Sequence, residues 1–141
     1  MNTTLLTVRE LKSTDEWKIA FPIIKQLRAD LNKLEYIKLL KIMSSEGYRM
    51  FALFESEEIT SVIGITKKTN LYDGNHIFVY DLITDENKRS KEYGKKLLSY
   101  VEDMAKKDNC ETISLTSGLQ RIDAHRFYEE KMNYIKSSYS F

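Results

Sequence analysis

Apolar side chains along this chain recur first at the spacing of a strand and then at the spacing of helices. Leu6 and Val8 lie on one face of residues 5–11, with polar side chains between them, so a first strand is predicted there. Ser13 and Glu16 then have the spacing of a capping box, in which each side chain satisfies the backbone N–H of the other. A helix is therefore expected to begin immediately after Ser13.

Two helices are predicted between this strand and the glycine at position 47. The first helix would begin at about Thr14, and Pro22 would kink or divide it. Its inward side chains would be Trp17, Phe21 and Ile24. Asp30 is expected to cap the second helix, and Gly47 to end it. The apolar residues at helical spacing in this second helix are Leu31, Leu34, Ile37, Leu40 and Met43.

After Gly47 the alternation becomes that of strands, separated by charged or glycine-containing turns. The predicted strands cover residues 48–54, 59–69, 76–83, 112–115 and 134–141, and the predicted helices cover residues 93–109 and 122–132. Residues 76–83 are apolar on both faces, as a central strand is. Asn109 can adopt the left-handed conformation that ends a helix. The order β-α-α-β-β-β-α-β-α-β predicts an α/β fold of three layers around a central mixed sheet.

Composition and charge narrow the class of protein. The chain has 141 residues, which fits one domain over residues 1–141. Its net charge is +1, which argues against a protein that holds nucleic acid through an overall basic surface. A single cysteine, Cys110, excludes an internal disulfide and a cysteine-based zinc site, and it is expected to face the core. With no membrane-spanning run of about 18 apolar residues and no signal sequence, a cytoplasmic protein is expected.

The basic stretch between the strand 76–83 and the helix 93–109 is the first candidate site. Between Lys88 and Lys96 there are five basic side chains and one acid, Glu92. A helix N-terminus offers unpaired N–H groups and a partial positive charge, which together bind phosphate. The basic side chains that would add to it are Arg89, Lys91 and Lys95. The alternative is that these side chains only solvate the exposed start of a helix.

Two motifs in this chain resemble those of the Gcn5-related N-acetyltransferases, the GNAT superfamily. Residues 89–94, Arg-Ser-Lys-Glu-Tyr-Gly, resemble the family's Q/R-x-x-G-x-G/A segment, with Glu92 in the place of a glycine. Residues 124–134 resemble its A-x-x-F-Y-x-x-x-G-F/Y segment, with Asn133 in the place of a glycine, and asparagine also adopts the left-handed conformation. Motif order, spacing and predicted elements agree with the family over nearly the whole chain. The chain is therefore identified as a member of the superfamily, with its three-layer α/β/α fold.

The resemblance implies acetyl-CoA as cosubstrate and no metal. Main-chain groups at the strand end Leu82, Ile83 and Thr84 would pair with the pantetheine arm, and an N–H near the first two would polarise the thioester carbonyl. The pyrophosphate would lie against Arg89, Ser90, Lys91, Glu92, Tyr93, Gly94 and Lys95. Glu92 is expected to point to solvent and to weaken the site, because glutamate fits poorly where the backbone is crowded and left-handed. Arg121 falls where relatives carry an asparagine that contacts pantetheine, and its longer side chain would reach a phosphate.

The resemblance also points to catalytic side chains. Tyr128 matches a family tyrosine that protonates the departing thiolate; alternatively, it only packs with Ala124 and Phe127. Asp81 is an acid in an apolar strand, where its pKa would rise, and it is the candidate base or water-orienting group. Its alternative role is a structural pairing with a neighbouring strand or a loop N–H. His125 is taken as a surface or packing residue.

The leading hypothesis from the sequence is an enzyme that transfers the acetyl group of acetyl-CoA to a primary amine by direct attack. Its rival is a non-catalytic acyl-CoA-binding or protein-interaction module with the same fold. The acceptor stays open between a small-molecule amine, a polyamine, an aminoglycoside and a protein lysine. Its specificity is expected to come from the two N-terminal helices, residues 14–47, and from the loops between strands. No nucleic-acid or membrane partner is expected. Residues 134–141 are the candidate segment for a homodimer, which many relatives form.

Overall fold

The sheet joins its strands in chain order and is mixed. The computed structural model describes residues 5–89, 91–116 and 122–136. The strands in this part are β1 (Leu6–Leu11), β2 (Arg49–Glu55), β3 (Glu58–Asn70), β4 (Gly74–Thr84) and β5 (Thr112–Leu115). The sheet order is β1-β2-β3-β4-β5, with β1 to β4 antiparallel and β5 parallel to β4. The mixed sheet predicted from the sequence is confirmed.

Helices cover both faces of this sheet, which gives the three predicted layers. The helices are α1 (Thr14–Leu27), α2 (Lys33–Ser45), α3 (Tyr93–Lys107) and α4 (Ile122–Arg126), and a wider π turn continues α4 over Phe127–Lys131. One core cluster joins α1 and α2 to side chains such as Met50 and Val62. A second cluster joins α3 and the π turn to side chains such as Phe51 and Ile63. Because neighbouring strand residues point to opposite faces, the two clusters lie on opposite sides of the sheet.

The start of α1 agrees with the sequence prediction, and of the two effects expected of Pro22, the division of the helix does not occur. Ser13 Oγ accepts a hydrogen bond from the Glu16 N–H at 3.2 Å, and Glu16 Oε1 accepts one from the Ser13 N–H at 3.1 Å. The capping box is therefore confirmed. Pro22 lies inside α1 without dividing it, because the helix continues to Leu27.

The predicted cap of α2 was wrong. Asn32, not Asp30, is the N-cap, and its Oδ1 accepts the Glu35 N–H at 2.9 Å. The cap must lie three residues before the N–H it satisfies, and Asp30 lies too far upstream. The helix consequently buries Tyr36 and Leu40, while Leu34 is 87% exposed instead of lying on the inward stripe.

The ends of the later helices use asparagine as the sequence predicted. Asn109 after α3 and Asn133 after the π turn both have a φ of 58°. The π turn is closed by the Met132 N–H donating to the Phe127 carbonyl at 3.1 Å. The predicted last strand lies mostly outside the described residues, and residues 134–136 are not in a strand. Within the described residues, no helix is long and apolar enough to cross a membrane.

Candidate functional site

Strand β4 parts from β5 half-way along its length. β5 pairs with β4 from His76 to Val79, whereas β4 stays paired with β3 as far as Thr84. A bulge lies at the point of parting, because Gly64 pairs with Asp81 but the next residue of β3 pairs with Val79. In the part of the chain that the structure describes, the outer edge of residues 81–84 has no neighbouring strand. Its backbone groups are thus available to an extended ligand.

The N-terminus of α3 lies against the end of this open edge. A Cβ added to Gly94, the second residue of the helix, would lie 3.3 Å from Thr84 Oγ1 and 3.8 Å from the Phe127 ring. Glycine at position 94 therefore lets β4, α3 and the π turn meet. The strand end and the helix start that were predicted to hold the cosubstrate meet here, next to Phe127, the neighbour of the candidate general acid Tyr128.

Glu92 adopts the backbone conformation that a glycine would have. It is the residue before α3, with φ 60° and ψ 26°, and its side chain makes no capping hydrogen bond. The side chain is exposed, as the sequence predicted. Left-handed backbone costs an L-residue roughly 1–2 kcal/mol, so Glu92 keeps the shape of the loop under strain.

Not all of the predicted phosphate-site side chains face solvent. Arg89, Lys91 and Lys95 are exposed, as a phosphate site requires. Tyr93 is buried, and its hydroxyl donates to a Glu55 carboxylate oxygen, so only its backbone N–H remains for a ligand. This hydrogen bond is the main cause that holds the pKa of Glu55 below its usual value.

Lys88 forms ion pairs with two acids at the β2–β3 turn. Its Nζ lies 3.0 Å from Glu58 Oε2 and 3.6 Å from Glu55 Oε1. The hydrogen bond to Glu58 is the main cause that raises the pKa of Lys88. Together with Tyr93, these contacts hold the loop before α3 against the β2–β3 turn.

Tyr128 packs in the second core cluster, next to Phe127. It is 9% exposed, and its ring centroid lies 5.2 Å from that of Phe127 and 5.9 Å from that of Tyr134. The packing expected from the sequence is present, while the catalytic role stays a prediction. His125 is half-buried and Cys110 is buried. Ser90 and Arg121 lie outside the described residues.

A cavity of about 520 Å³ lies on the opposite face of the sheet, between α1, α2 and β4. Most of its lining is apolar and comes from the two helices and the segment that joins them. Its charged lining residues are Arg28, Asp30 and Asp81, and its phenols are Tyr36 and Tyr48. Asp81 is the residue after the bulge of β4, so this cavity adjoins the open edge of that strand. Most of the lining lies within residues 14–47, and the role of these residues in acceptor specificity stays a prediction.

Asp81 pairs with a cation that sequence reasoning missed. Arg28, which follows α1, donates from Nη2 at 2.5 Å and from Nε at 3.0 Å to Asp81 Oδ1. The two sequence-based roles for Asp81 were a base and a carboxylate paired with a strand or loop N–H, and this ion pair is neither. The residues are 53 positions apart, so no local signal in the sequence indicates the pair.

The two phenols of the cavity stay protonated at neutral pH. Burial is the main cause that raises the pKa of both Tyr36 and Tyr48, and the negative charge of Asp81 adds to it. The Tyr36 hydroxyl donates to the Trp17 carbonyl at 2.6 Å. The Tyr48 ring lies 5.5 Å from that of Tyr80.

Gly64→Ala should destabilise the protein by about 3 kcal/mol, through overpacking. A Cβ at this position would lie 1.9 Å from the Tyr48 hydroxyl and 2.5 Å from its Cζ, so the buried ring must move. Urea denaturation measures the loss. Gly74→Ala is the control, since its Cβ would meet nothing within 4 Å and only the φ of +65° opposes it, at a cost of about 1 kcal/mol. Equal losses of stability in the two variants would show that the Tyr48 ring moves aside without an energetic cost.

Comparisons with known proteins agree with this geometry. The model of the acetyltransferase (GNAT) family matches residues 13–134. An uncharacterized N-acetyltransferase of Bacillus subtilis strain 168, YhdJ, is 39% identical over 138 residues, which are 97% of each chain. The aminoalkylphosphonate N-acetyltransferase of Salmonella typhimurium strain LT2 is 29% identical over 72 residues, 50% of this chain and 47% of that protein. The solved aminoglycoside N-acetyltransferase AAC(6')-Iy in complex with CoA shares the fold, with a TM-score of 0.85, 9% identity, and coverage of 99% and 94%.

Proposed function

This chain belongs to the acetyltransferase (GNAT) family, and on that premise we propose that it transfers the acetyl group of acetyl-CoA to the primary amine of a small molecule. The observation that carries the proposal is the meeting of the open β4 edge with the start of α3, next to Glu92 in a glycine-like conformation. The extended part of a ligand would form hydrogen bonds with the open strand edge, and its phosphate groups would bind the N–H groups at the start of α3.

The described residues fit acetyl-CoA, which would supply an activated acetyl thioester. The outer edge of residues 82–84 would pair with the amide groups of the pantetheine arm. The first N–H groups of α3 and the exposed Arg89, Lys91 and Lys95 would hold the pyrophosphate. Gly94 keeps the helix start close to the strand end, because a Cβ there would already touch Thr84.

The catalytic steps are assigned to groups on either side of β4. A backbone N–H near Leu82 or Ile83 would hold the carbonyl oxygen as it gains negative charge. Asp81 would accept the proton that the amine gives up as its nitrogen bonds to the acetyl carbon. Tyr128 would give its hydroxyl proton to the sulfur as the C–S bond breaks. The acetyl group passes directly to the amine, with no acyl intermediate on the protein.

A small-molecule acceptor is supported by the size of the cavity beside Asp81 and by the relative whose name gives an aminoalkylphosphonate as substrate. A volume of about 520 Å³ is within the range of small-ligand sites, roughly 300–1,000 Å³.

The test is the release of CoA thiol from acetyl-CoA when primary amines are added. Amine-dependent, repeated turnover is the result expected of an enzyme. Thermal stabilisation by CoA without turnover would favour the non-catalytic acyl-CoA-binding module. If neither turnover nor stabilisation is seen, both hypotheses are contradicted.

Glu92→Gly should tighten CoA binding modestly, by about 1 kcal/mol or less, because the side chain is solvent-exposed. The same change should raise the free energy of unfolding by about 1 kcal/mol or less, because glycine relieves the left-handed strain but is itself more flexible when unfolded. Calorimetric titration with CoA and urea denaturation measure the two effects.

Glu92→Gln separates charge from conformation. It removes the negative charge and keeps the strain, so it should reproduce the gain in affinity without the gain in stability. Weaker CoA binding in both variants would mean that the Glu92 carboxylate has a favourable role of its own in the loop.

A further inference from the structure

The ion pair in the cavity leaves one atom of each partner available to a ligand. Both hydrogen bonds from Arg28 to Asp81 end on Oδ1, and they leave from Nε and Nη2. Among the described residues, no hydrogen bond is formed by Asp81 Oδ2 or by Arg28 Nη1. The Arg28 side chain is 54% exposed and that of Asp81 16% exposed. The cavity therefore offers a carboxylate oxygen and guanidinium N–H groups side by side.

The remainder of the lining suits an apolar group. Its apolar lining residues include Leu27, Leu31, Leu39, Leu40, Met43 and Met50. Asp30 is the other acid of the described lining. A polyamine or an aminoglycoside would bring several cations to a cavity with two carboxylates, one of which already faces Arg28. A plain alkylamine would form a hydrogen bond with Asp81, but it would leave the Arg28 Nη1 donor without an acceptor on the ligand.

From this arrangement we propose that the acceptor is a small amino acid with an apolar side chain: a primary amine with a carboxylate or phosphonate on the same or the next carbon. The proposal rests on the acetyl transfer proposed above and names its acceptor class. The amino group would contact Asp81 Oδ2, and the acid group would contact Arg28 Nη1. Charge-assisted hydrogen bonds of this kind are short and strong. Arg28 is thereby a specificity-determining residue.

Matched sets of acceptors test the class. Each set contains an L-amino acid (leucine, methionine or phenylalanine), the amine that lacks its carboxylate, and the phosphonate analogue. Thiol release gives kcat/KM, and calorimetric titration in the presence of CoA gives binding without turnover. At least one acid-bearing member should exceed its plain amine by about 10- to 100-fold in both measurements, the range expected for a hydrogen bond to a charged group. Comparing the carboxylate with the phosphonate member of each set shows which acid group is preferred.

Arg28→Gln should remove this preference by lowering the ratio of kcat/KM for the acid-bearing acceptor to that for its plain amine about 10-fold or more. The rate with the plain amine should change as well, because Arg28 also holds the Asp81 carboxylate, so the ratio is the quantity that tests the proposal. Arg28→Lys should restore part of the preference. Lys18→Gln is the control, since it removes one charge from an exposed position of α1 that does not line the cavity.

The outcomes separate the two proposals. Equal or better use of the plain amines, or an equal loss for both classes in Arg28→Gln, overturns the assignment of the acceptor alone. If no compound releases thiol, the proposed transfer fails, and the binding titrations still decide whether the cavity prefers amino acids. No binding and no turnover with every acid-bearing compound overturns the acceptor proposal.

Discussion

Tyr128→Phe should lower turnover by about 100- to 10,000-fold, the usual contribution of a general acid. The substitution keeps the ring and thus its contacts with Phe127 and Tyr134, and it removes the proton proposed to reach the departing sulfur. CoA affinity and the free energy of unfolding should change far less than turnover. Steady-state thiol release, calorimetric titration with CoA and urea denaturation measure the three quantities.

The pH profile decides between general-acid catalysis and packing as the role of Tyr128. With a general acid, activity should fall at high pH in the tyrosine enzyme, as the phenol loses its proton, and this limb should be missing in Tyr128→Phe. Tyr134→Phe is the matched control, since it removes a neighbouring hydroxyl that donates to Glu102 at 3.4 Å. Equal rates and identical profiles for Tyr128→Phe would leave Tyr128 a core residue.

Gly94→Asp should weaken CoA binding by about 10- to 100-fold, or about 1.4 to 2.8 kcal/mol. The new carboxylate would lie at the second position of α3, where the pyrophosphate is proposed to bind. An acid near a helix N-terminus favours the helix itself. Compared with an uncharged side chain of the same shape, the aspartate should therefore weaken CoA binding without destabilising the helix. Calorimetric titration with CoA measures the affinity.

Gly94→Asn is the control for shape, because it adds nearly the same atoms without the charge. Either side chain must adjust to Thr84 Oγ1, 3.3 Å from the new Cβ. The charge-dependent part is the difference between the two variants, and it should shrink as salt is added. Equal affinities of the aspartate and asparagine variants would exclude a diphosphate at this helix start.

Local signals in the sequence located most of the elements, since each depends on residues close together in the chain. The capping box at Ser13, the left-handed Asn109 and the strand at residues 112–115 are examples. The cap of α2 shows the limit of such reasoning. Asp30 and Asn32 are both good caps, and the sequence alone did not decide which of them begins the helix.

The candidate site was predictable on its cofactor side and much less so on its acceptor side. The residues from Thr84 to Gly94 are contiguous, so a motif in the sequence is enough to point to them. The ion pair of Arg28 with Asp81 joins a helix end to a strand bulge 53 residues later. A register shift in the sheet puts Asp81 beside the cavity, and no spacing rule in one sequence predicts a shift of that kind.

The left-handed conformation of Glu92 also could not be predicted from residue preferences. Residue preferences disfavour glutamate with positive φ, and for that reason a poorer site is expected from the sequence. Burial of Tyr93 and its hydrogen bond to Glu55 fix the residue that follows, so the loop keeps its path although its residue 92 is not a glycine. Tertiary contacts have overridden a local preference here.

The two hydrophobic clusters lie on opposite faces of the sheet, and this separation affects how substitutions in one cluster act on the other. Side chains that contact the cavity belong to α1, α2 and their face of the sheet, whereas the start of α3 and the π turn belong to the other face. Substitutions at sites that share no contacts usually have additive effects on stability. If the proposed function holds, substitutions in the first cluster should therefore change the acceptor without altering the contacts proposed for the acyl donor.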